Sequence, residues 1–203
     1  MLSAEASARF APQQPDHPRH VRMLITLFTD ASYCSRSRVG AYAAWAKADG
    51  RTVRHSGVLK QTVENSSLAE TMALVNGICV ALAAMRPPAE SKIIAQTDCL
   101  AAIHALSGML RKTRTIRQYE SIVAAYREKV AAAGIVVEFR HVAGHKGTVT
   151  PRNAVNTWCD EECRRLMRAA RAVGQGPHGP SPGASQRASR GKSQQKPALV
   201  PAV

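Results

Sequence analysis

The central part of the chain alternates between short apolar runs and longer amphipathic stretches. The apolar runs lie at 23–29, 39–47, 52–60, 91–97 and 135–142. Stretches with apolar residues every three or four positions lie at 67–85, 98–106, 115–133 and 153–171. Short apolar or alternating runs favour strands, and a period of about 3.6 residues favours helices. The predicted order of elements is therefore βββαβααβα.

Turn-forming and helix-ending residues separate these elements. Asp49-Gly50 lies between the second and third apolar runs, which is a strong signal for a tight hairpin. Pro87-Pro88 should end the first long helix, because proline cannot donate the next backbone hydrogen bond. Gly134 is a typical C-terminal residue for the third helix. Three strands joined by turns, followed by alternating strands and helices, predict an α/β fold with a mixed sheet flanked by helices.

The two ends of the chain differ from the centre in composition. Residues 1–22 are rich in Pro, Gln and small residues, and residues 172–203 are rich in Gly, Pro, Ser and Gln. Such segments bury too little apolar surface to offset the entropy lost on ordering. We therefore predict one domain, residues 23–171, between two disordered ends. The second end carries basic residues and no acid: Arg187, Arg190, Lys192 and Lys196.

The chain is strongly basic, with 28 Lys and Arg against 14 Asp and Glu and a formal net charge of +14. This excess indicates an anionic partner, either nucleic acid or a membrane surface. No apolar run is expected to reach the roughly 18 residues that cross a bilayer, and the N-terminus has no apolar signal-peptide core. The five cysteines include no Cys-x-x-Cys pair and indicate reduced thiols. We predict a cytoplasmic protein without membrane contact, and since nothing demands a dimer, a monomer.

Four acidic residues lie at the ends of predicted elements. Asp30 and Asp98 follow the first and fourth strands, Glu70 lies one turn into the first helix, and Asp160 lies early in the last helix. Carboxyl ends of parallel strands meet at one edge of a sheet, where α/β proteins bind ligands. Four carboxylates packed together would raise each other's pKa unless cations neutralise them. Two divalent ions about 3.5–4 Å apart can do so, and they clamp the attacking and leaving oxygens of a phosphoryl displacement.

Each acid also has a local interpretation. Asp30 could open a turn, and Ser67-x-x-Glu70 fits a capping box in which Glu70 reaches back to the cap amide. Asp98 could cap the short helix, and Asp160 would be favoured near a helix start by the macrodipole. Taken singly, these local roles are the commoner ones. The hypothesis of a shared site depends on all four acids occurring together.

The order of the acidic segments resembles the type 1 ribonuclease H family. The matching segments are FTDAS, LAET, QTDC, HVAGH and WCDEECRR, which span residues 23 to about 170. The resemblance implies the ribonuclease H-like fold, with a five-stranded mixed sheet of three antiparallel strands followed by parallel ones. It also implies an endoribonuclease that hydrolyses the RNA strand of RNA–DNA hybrids. The cofactor would be two Mg²⁺ ions, for which Mn²⁺ can substitute.

The resemblance further implies a role for each site residue. Asp30 would bridge both ions, and Glu70 and Asp98 would hold the ion on the leaving-group side. Asp160 would hold the ion that activates the attacking water. His145, in the GHKG segment, would match the family's mobile histidine, which assists proton movement or product release.

Two segments are candidates for contact with nucleic acid. The family carries asparagines that read the minor groove where this chain has Ser66 and Ser67, whose hydroxyls could contact the 2′-hydroxyl that distinguishes RNA from DNA. The segment between the second and third helices is basic, which fits phosphate contacts and a solvated loop equally well. Its candidate residues are Arg111, Lys112, Arg114 and Arg117.

Two rival functions fit part of the pattern. His141-x₃-His145 followed by Cys159-x₃-Cys163 offers four zinc ligands, although cysteines at this spacing also fit one face of a helix. A non-catalytic nucleic-acid-binding protein, or a structure-specific nuclease on the same fold, would need the same positive charge. A pure binder would have no reason to place four carboxylates against the phosphates of its ligand, which favours an enzyme.

Overall fold

The computed structural model describes residues 22–109, 117–143 and 150–174. Within these ranges the order of elements is βββαβααβα, as predicted. The strands are β1 (Leu24–Cys34), β2 (Val39–Ala48), β3 (Arg51–Val58), β4 (Lys92–Thr97) and β5 (Val136–His141). The helices are α1 (Ser66–Met85), α2 (Leu100–Leu106), α3 (Arg117–Ala133) and α4 (Pro151–Gly174).

The five strands form one mixed sheet in the order β3-β2-β1-β4-β5. β1 pairs antiparallel with β2, and β2 with β3, whereas β4 pairs parallel with both β1 and β5. This confirms the predicted arrangement. The β2–β3 turn is Asp49-Gly50, with φ angles of 46° and 76°. Both angles lie in the left-handed region, which glycine adopts without strain and aspartate tolerates.

Alternate residues of β1 point to opposite faces of the sheet and fill two cores. Ile25 and Leu27 belong to the larger core, which α1, α2 and α3 cover. Phe28 belongs to the smaller core, where it packs with Cys159 and Cys163 of α4. Strands alternate their side chains with a period of two, so Asp30 lies on the same face as Phe28. The sheet therefore presents Asp30 toward α4.

A cap at the first turn of α1 and a glycine in its middle fix the helix against the sheet. Asn65 caps the helix by accepting a hydrogen bond from the Leu68 backbone N–H at 2.8 Å. Gly77 lies against β1 so closely that a Cβ there would overlap Thr29. The helix ends at Met85, and Arg86 takes a left-handed conformation just before Pro87. α1 is thus held tightly against the strand that carries Asp30.

The expectation that no segment is apolar enough to cross a bilayer is wrong for α1 by length and composition. However, 67% of its most apolar window is buried inside the domain. Its buried residues, including Leu74 and Ile78, pack against the sheet and the neighbouring helices. Packing in the core accounts for the apolar composition of this helix.

Candidate active site

Three of the predicted acids meet at one edge of the sheet. Ligand oxygens of Asp30, Glu70 and Asp98 all lie within 4.8 Å of one another. β1 and β4 run parallel with Phe28 beside Gln96, so Asp30 and Asp98, each two residues further on, project side by side. Glu70 reaches them from α1, where its Oε1 accepts a hydrogen bond from the Ala31 N–H at 3.3 Å.

The fourth acid, Asp160, approaches from α4. Ligand atoms of Asp30, Asp160 and Cys163 also lie within 4.8 Å of one another. α4 lies along β1, with the Cys159 sulphur 3.9 Å from the Phe28 carbonyl oxygen. Asp30 belongs to both groups and therefore occupies the centre of the acidic cluster. We refer to Asp30, Glu70, Asp98 and Asp160 as the acidic site.

The local interpretations of Asp30 and Glu70 are wrong. Asp30 does not open a turn, because β1 continues to Cys34 and Asp30 is paired with Ala43 of β2. Glu70 does not complete a capping box, because Asn65 caps α1 and Glu70 points toward β1. Both side chains are thus free of the backbone roles that their sequence positions suggested.

The local interpretations of Asp98 and Asp160 fail as well. Cys99, not Asp98, is the N-cap residue of α2, and no side chain caps that helix. α4 begins at Pro151, so Asp160 lies in the middle of the helix and not near its start. The helix macrodipole acts mainly within the first and last turns and cannot explain an acid there.

Burial and mutual repulsion govern the charge state of the acidic site. Burial, followed by the charges of Asp98 and Asp160, raises the pKa of Asp30 from 3.8 to about 7. Burial and the Asp30 charge raise the pKa of Glu70 well above its ordinary value. The Oε2 atom of Glu70 is buried without a hydrogen-bond partner among the described residues. A buried, unpaired oxygen is costly unless something satisfies it.

These features fit a divalent cation. Hard cations such as Mg²⁺ take carboxylate oxygens as ligands. Three carboxylates within reach of one another could hold one ion, and the orphaned Glu70 oxygen offers a donor to it. Asp30 and Asp160 could hold a second ion beside the first. A positive charge there would also relieve the repulsion that raises the pKa of Asp30.

Sequence reasoning missed two residues beside Asp160. The Arg164 Nε atom lies 2.9 Å from Asp160 Oδ1, and the two residues are four apart on α4. That spacing could have identified the pair, since residues four apart share a helix face. Cys163 lies against Asp30 and Asp160, and burial, followed by the Asp30 charge, raises the pKa of its thiol. The thiol therefore lines the site in its protonated form.

The described residues do not gather into a zinc site. Cys159 and Cys163 are buried in the smaller core, and burial raises the pKa of both thiols. His141 is exposed at the end of β5, with its Nε2 3.0 Å from the Asp98 carbonyl oxygen. His145, the remaining member of the zinc hypothesis and the predicted mobile histidine, lies outside the described residues.

The predicted nucleic-acid contacts are placed only in part. Ser66 is the exposed first residue of α1, and Ser67 follows it, one helical turn before Glu70. Arg117 is the first residue of α3. The other basic candidates lie outside the described residues: Arg111, Lys112 and Arg114.

Comparison with known proteins gives a family and a fold. No curated protein matches the chain significantly. One similar solved structure is the N-terminal RNase H domain of Rv2228c from Mycobacterium tuberculosis, determined as a fusion with maltose-binding protein. Its sequence is 13% identical to this chain and its TM-score is 0.55. The match covers 75% of this chain and 99% of that one. RNase H1 from Halobacterium salinarum has 17% identity and a TM-score of 0.53, covering 72% and 98%. LC11-RNase H1 in complex with RNA/DNA hybrid has 14% identity and a TM-score of 0.53, covering 72% and 98%.

At these identities the structural likeness establishes the fold, in agreement with the sheet order described above. The RNase H family model matches residues 22–168, which include all four acids of the acidic site. Since this match covers well over half of the sequence, the chain belongs to the RNase H family.

Proposed function

We propose that this protein is an endoribonuclease that hydrolyses the RNA strand of RNA–DNA hybrids. The observation that carries the proposal is the convergence of three carboxylates on Asp30 of β1: Glu70 from α1, Asp98 from just beyond β4, and Asp160 from α4. The family match supports a nuclease, and the LC11-RNase H1 complex shows that a protein of similar fold binds an RNA/DNA hybrid. The products would carry 5′-phosphate and 3′-hydroxyl ends.

The residues of the acidic site would hold two Mg²⁺ ions, or Mn²⁺ in their place. Asp30 would be the shared ligand, with Glu70 and Asp98 on one side and Asp160 on the other. When bound, such ions polarise the phosphoryl group and lower the pKa of a coordinated water. The Ala31 N–H donates to both Asp30 and Glu70, which keeps these two carboxylates at a fixed separation.

Other residues would act on the substrate around this centre. Ser66 and Ser67 would contact the minor groove of the hybrid, and the basic segment ending at Arg117 would contact phosphates. His145 would assist proton movement or product release. Phosphoryl transfer needs little covalent chemistry from a protein, so positioning and electrostatic stabilisation would supply most of the rate.

The alternative of a non-catalytic nucleic-acid binder fits the acidic site less well. Buried carboxylates with raised pKa values destabilise the folded protein once they ionise, and in that form they repel the phosphates of a ligand. A binder would gain affinity by losing them. The presence of all four is understandable if cations bind between the carboxylates and the substrate.

The proposal is tested by incubating the protein with end-labelled RNA–DNA hybrid, double-stranded RNA and double-stranded DNA, with Mg²⁺ or with a chelator. We expect cleavage of the RNA strand of the hybrid, only with Mg²⁺, and 5′-phosphate products. Binding of the hybrid without cleavage would support the non-catalytic alternative. Cleavage of DNA in preference to RNA would support another nuclease on this fold.

Arg164 is expected to compete with a metal ion for Asp160. Replacing Arg164 with glutamine frees the Asp160 carboxylate and should tighten binding of Mg²⁺ or Mn²⁺ by up to about fivefold, the range of an exposed ion pair. The measurement is a titration of the thermal unfolding midpoint with each metal. Arg165→Gln is the matched control, because Arg165 pairs with Glu162 outside the acidic site. Equal shifts in both variants would mean that net charge alone is responsible.

A further inference from the structure

The second half of α4 carries positive charge away from the acidic site. Beyond Asp160 and its acidic neighbours, residues 163–174 (CRRLMRAARAVG) include four arginines and no acid. Arg164, Arg168 and Arg171 recur at intervals of four and three residues and so share one face of the helix. We call these three residues the arginine stripe. It begins beside Asp160, with which Arg164 is paired.

The arginine stripe follows β1 from the acidic site toward the β1–β2 turn. Cys159 contacts Phe28, and Cys163 lies against Asp30, so four residues of α4 advance as far as two residues of β1. This matches the rise of about 6 Å for four helical residues and about 6.6 Å for two strand residues. The same register brings Arg171 to the level of Cys34, the last residue of β1.

The charge environment of Cys34 agrees with this register. The pKa of the Cys34 thiol is lowered mainly by hydrogen bonds with Ser37, and the positive charge of Arg171 contributes to the same shift. Arg171 therefore lies near the end of β1. The exposed Arg36 occupies the adjoining turn and adds to the positive charge there. The stripe and the turn form one basic surface that is continuous with the acidic site.

The cations at the far end of the stripe are available to a ligand. Arg164 and Arg165 pair with Asp160 and Glu162, whereas Arg168 and Arg171 make no ion pair within the described parts of the chain. Arg168 is exposed. The Nε atom of Arg171 is buried and has no hydrogen-bond partner among those residues. Arg168 therefore offers an exposed charge to an anionic ligand, and the half-buried Arg171 adds a second positive charge to the same face.

We propose that the arginine stripe binds the phosphate backbone of the hybrid on the α4 side of the acidic site. The stripe extends about 10 Å along α4 from Arg164 to Arg171. One strand of a duplex carries a phosphate about every 3.4 Å along the helix axis, so this length spans about three phosphates. The inference rests on the proposed function, because it takes the hybrid as the ligand at the acidic site.

Binding is measured by fluorescence anisotropy with a labelled hybrid, in a chelator and in the Asp30→Asn background, so that cleavage plays no part. We expect Arg168→Gln/Arg171→Gln to weaken binding about tenfold near 0.1 M salt and to reduce the slope of log Kd against log salt by about one to two. Arg168→Gln alone should weaken binding about threefold. Because Arg168 is exposed, this single variant can replace the double variant if the double variant is unstable.

The matched control is Lys47→Gln/Arg51→Gln, which removes two positive charges from exposed positions on either side of the β2–β3 turn, far from the β1–β2 turn. It should change affinity less than twofold. Unchanged affinity and slope in the Arg168 and Arg171 variants, or an equal loss in the control, would overturn the proposal. The cleavage assay is separate: absence of hybrid cleavage by the unmodified protein would refute the proposed function, while the anisotropy comparison would still report on the stripe.

Discussion

Replacing Asp30 with asparagine is expected to lower hybrid cleavage by at least about a thousandfold, because it weakens both candidate ion positions at once. Asp30 is the residue common to the two groups of converging ligand atoms. Asparagine keeps the size of the side chain but removes its charge, so the fold should be preserved. The measurement is single-turnover cleavage of a labelled hybrid in Mg²⁺.

Measuring the affinity of Asp30→Asn for the hybrid shows whether the variant has lost catalysis or has lost substrate binding. Asp30→Asn removes a negative charge from a surface that would face phosphates, so hybrid affinity should stay the same or increase. Asp49→Asn is the matched control, since Asp49 lies in the exposed β2–β3 turn with a φ of 46° that asparagine also tolerates. It should cleave at the normal rate. If Asp30→Asn kept a tenth of the activity or more, Asp30 would not be the shared ligand.

The second large effect is the change with pH in the free energy of unfolding of the metal-free protein. Asp30 has a pKa of about 7 in the folded protein against an ordinary value of 3.8, so the folded state holds this proton more tightly. The associated stability is fully present below about pH 4 and is lost as the pH rises through 7. With about 1.4 kcal/mol per pH unit, the loss is roughly 4 kcal/mol at most. The raised pKa of Glu70 acts in the same direction.

Mg²⁺ should reverse this loss, because an ion that binds only the folded state stabilises it. We expect the gap between the unfolding midpoints with Mg²⁺ and with chelator to widen from pH 5 to pH 8. Urea or thermal unfolding at a series of pH values measures it. Asp30→Asn should have a flatter profile in chelator than the unmodified protein. A metal-free stability that rises from pH 5 to pH 8 would contradict the burial and repulsion inferred for the acidic site.

Hydrophobic periodicity predicted the order and type of the elements, but not where β1 ends. The apolar run stops at Thr29, whereas the strand continues to Cys34 through Asp30 and Ser32. Aspartate is unfavourable in strands when judged alone, and neither side chain is apolar. Here β2 supplies a partner for each of these residues, with Cys34 opposite Val39, and pairing between strands outweighs the local preference. A single sequence does not contain that register.

The sequence predicts that the four acids share one site, but it does not predict the contacts that surround them. Asp30, Glu70 and Asp98 could be grouped because the ends of parallel strands meet at one edge. The capping box at Ser67 and Glu70 was wrong because Asn65, two residues earlier, offers a competing cap. The proximity of Cys163 to Asp30 depends on how α4 packs across the sheet. The local sequence around Cys163 or Asp30 contains no pattern that predicts such a long-range contact.

The anchoring of Asp160 has a consequence for how this site tolerates changes in chain length. Cys159 and Cys163, on either side of it, are both buried against β1 and β2, so the packing of α4 on the sheet fixes the position of Asp160. Lengthening the chain ahead of Pro151 would leave its carboxylate in place. One extra residue between Asp160 and Arg164 would rotate the following helix by about 100° and separate Asp160 from the arginines beyond it. Insertions and deletions should therefore accumulate before α4 and be excluded from its middle turns.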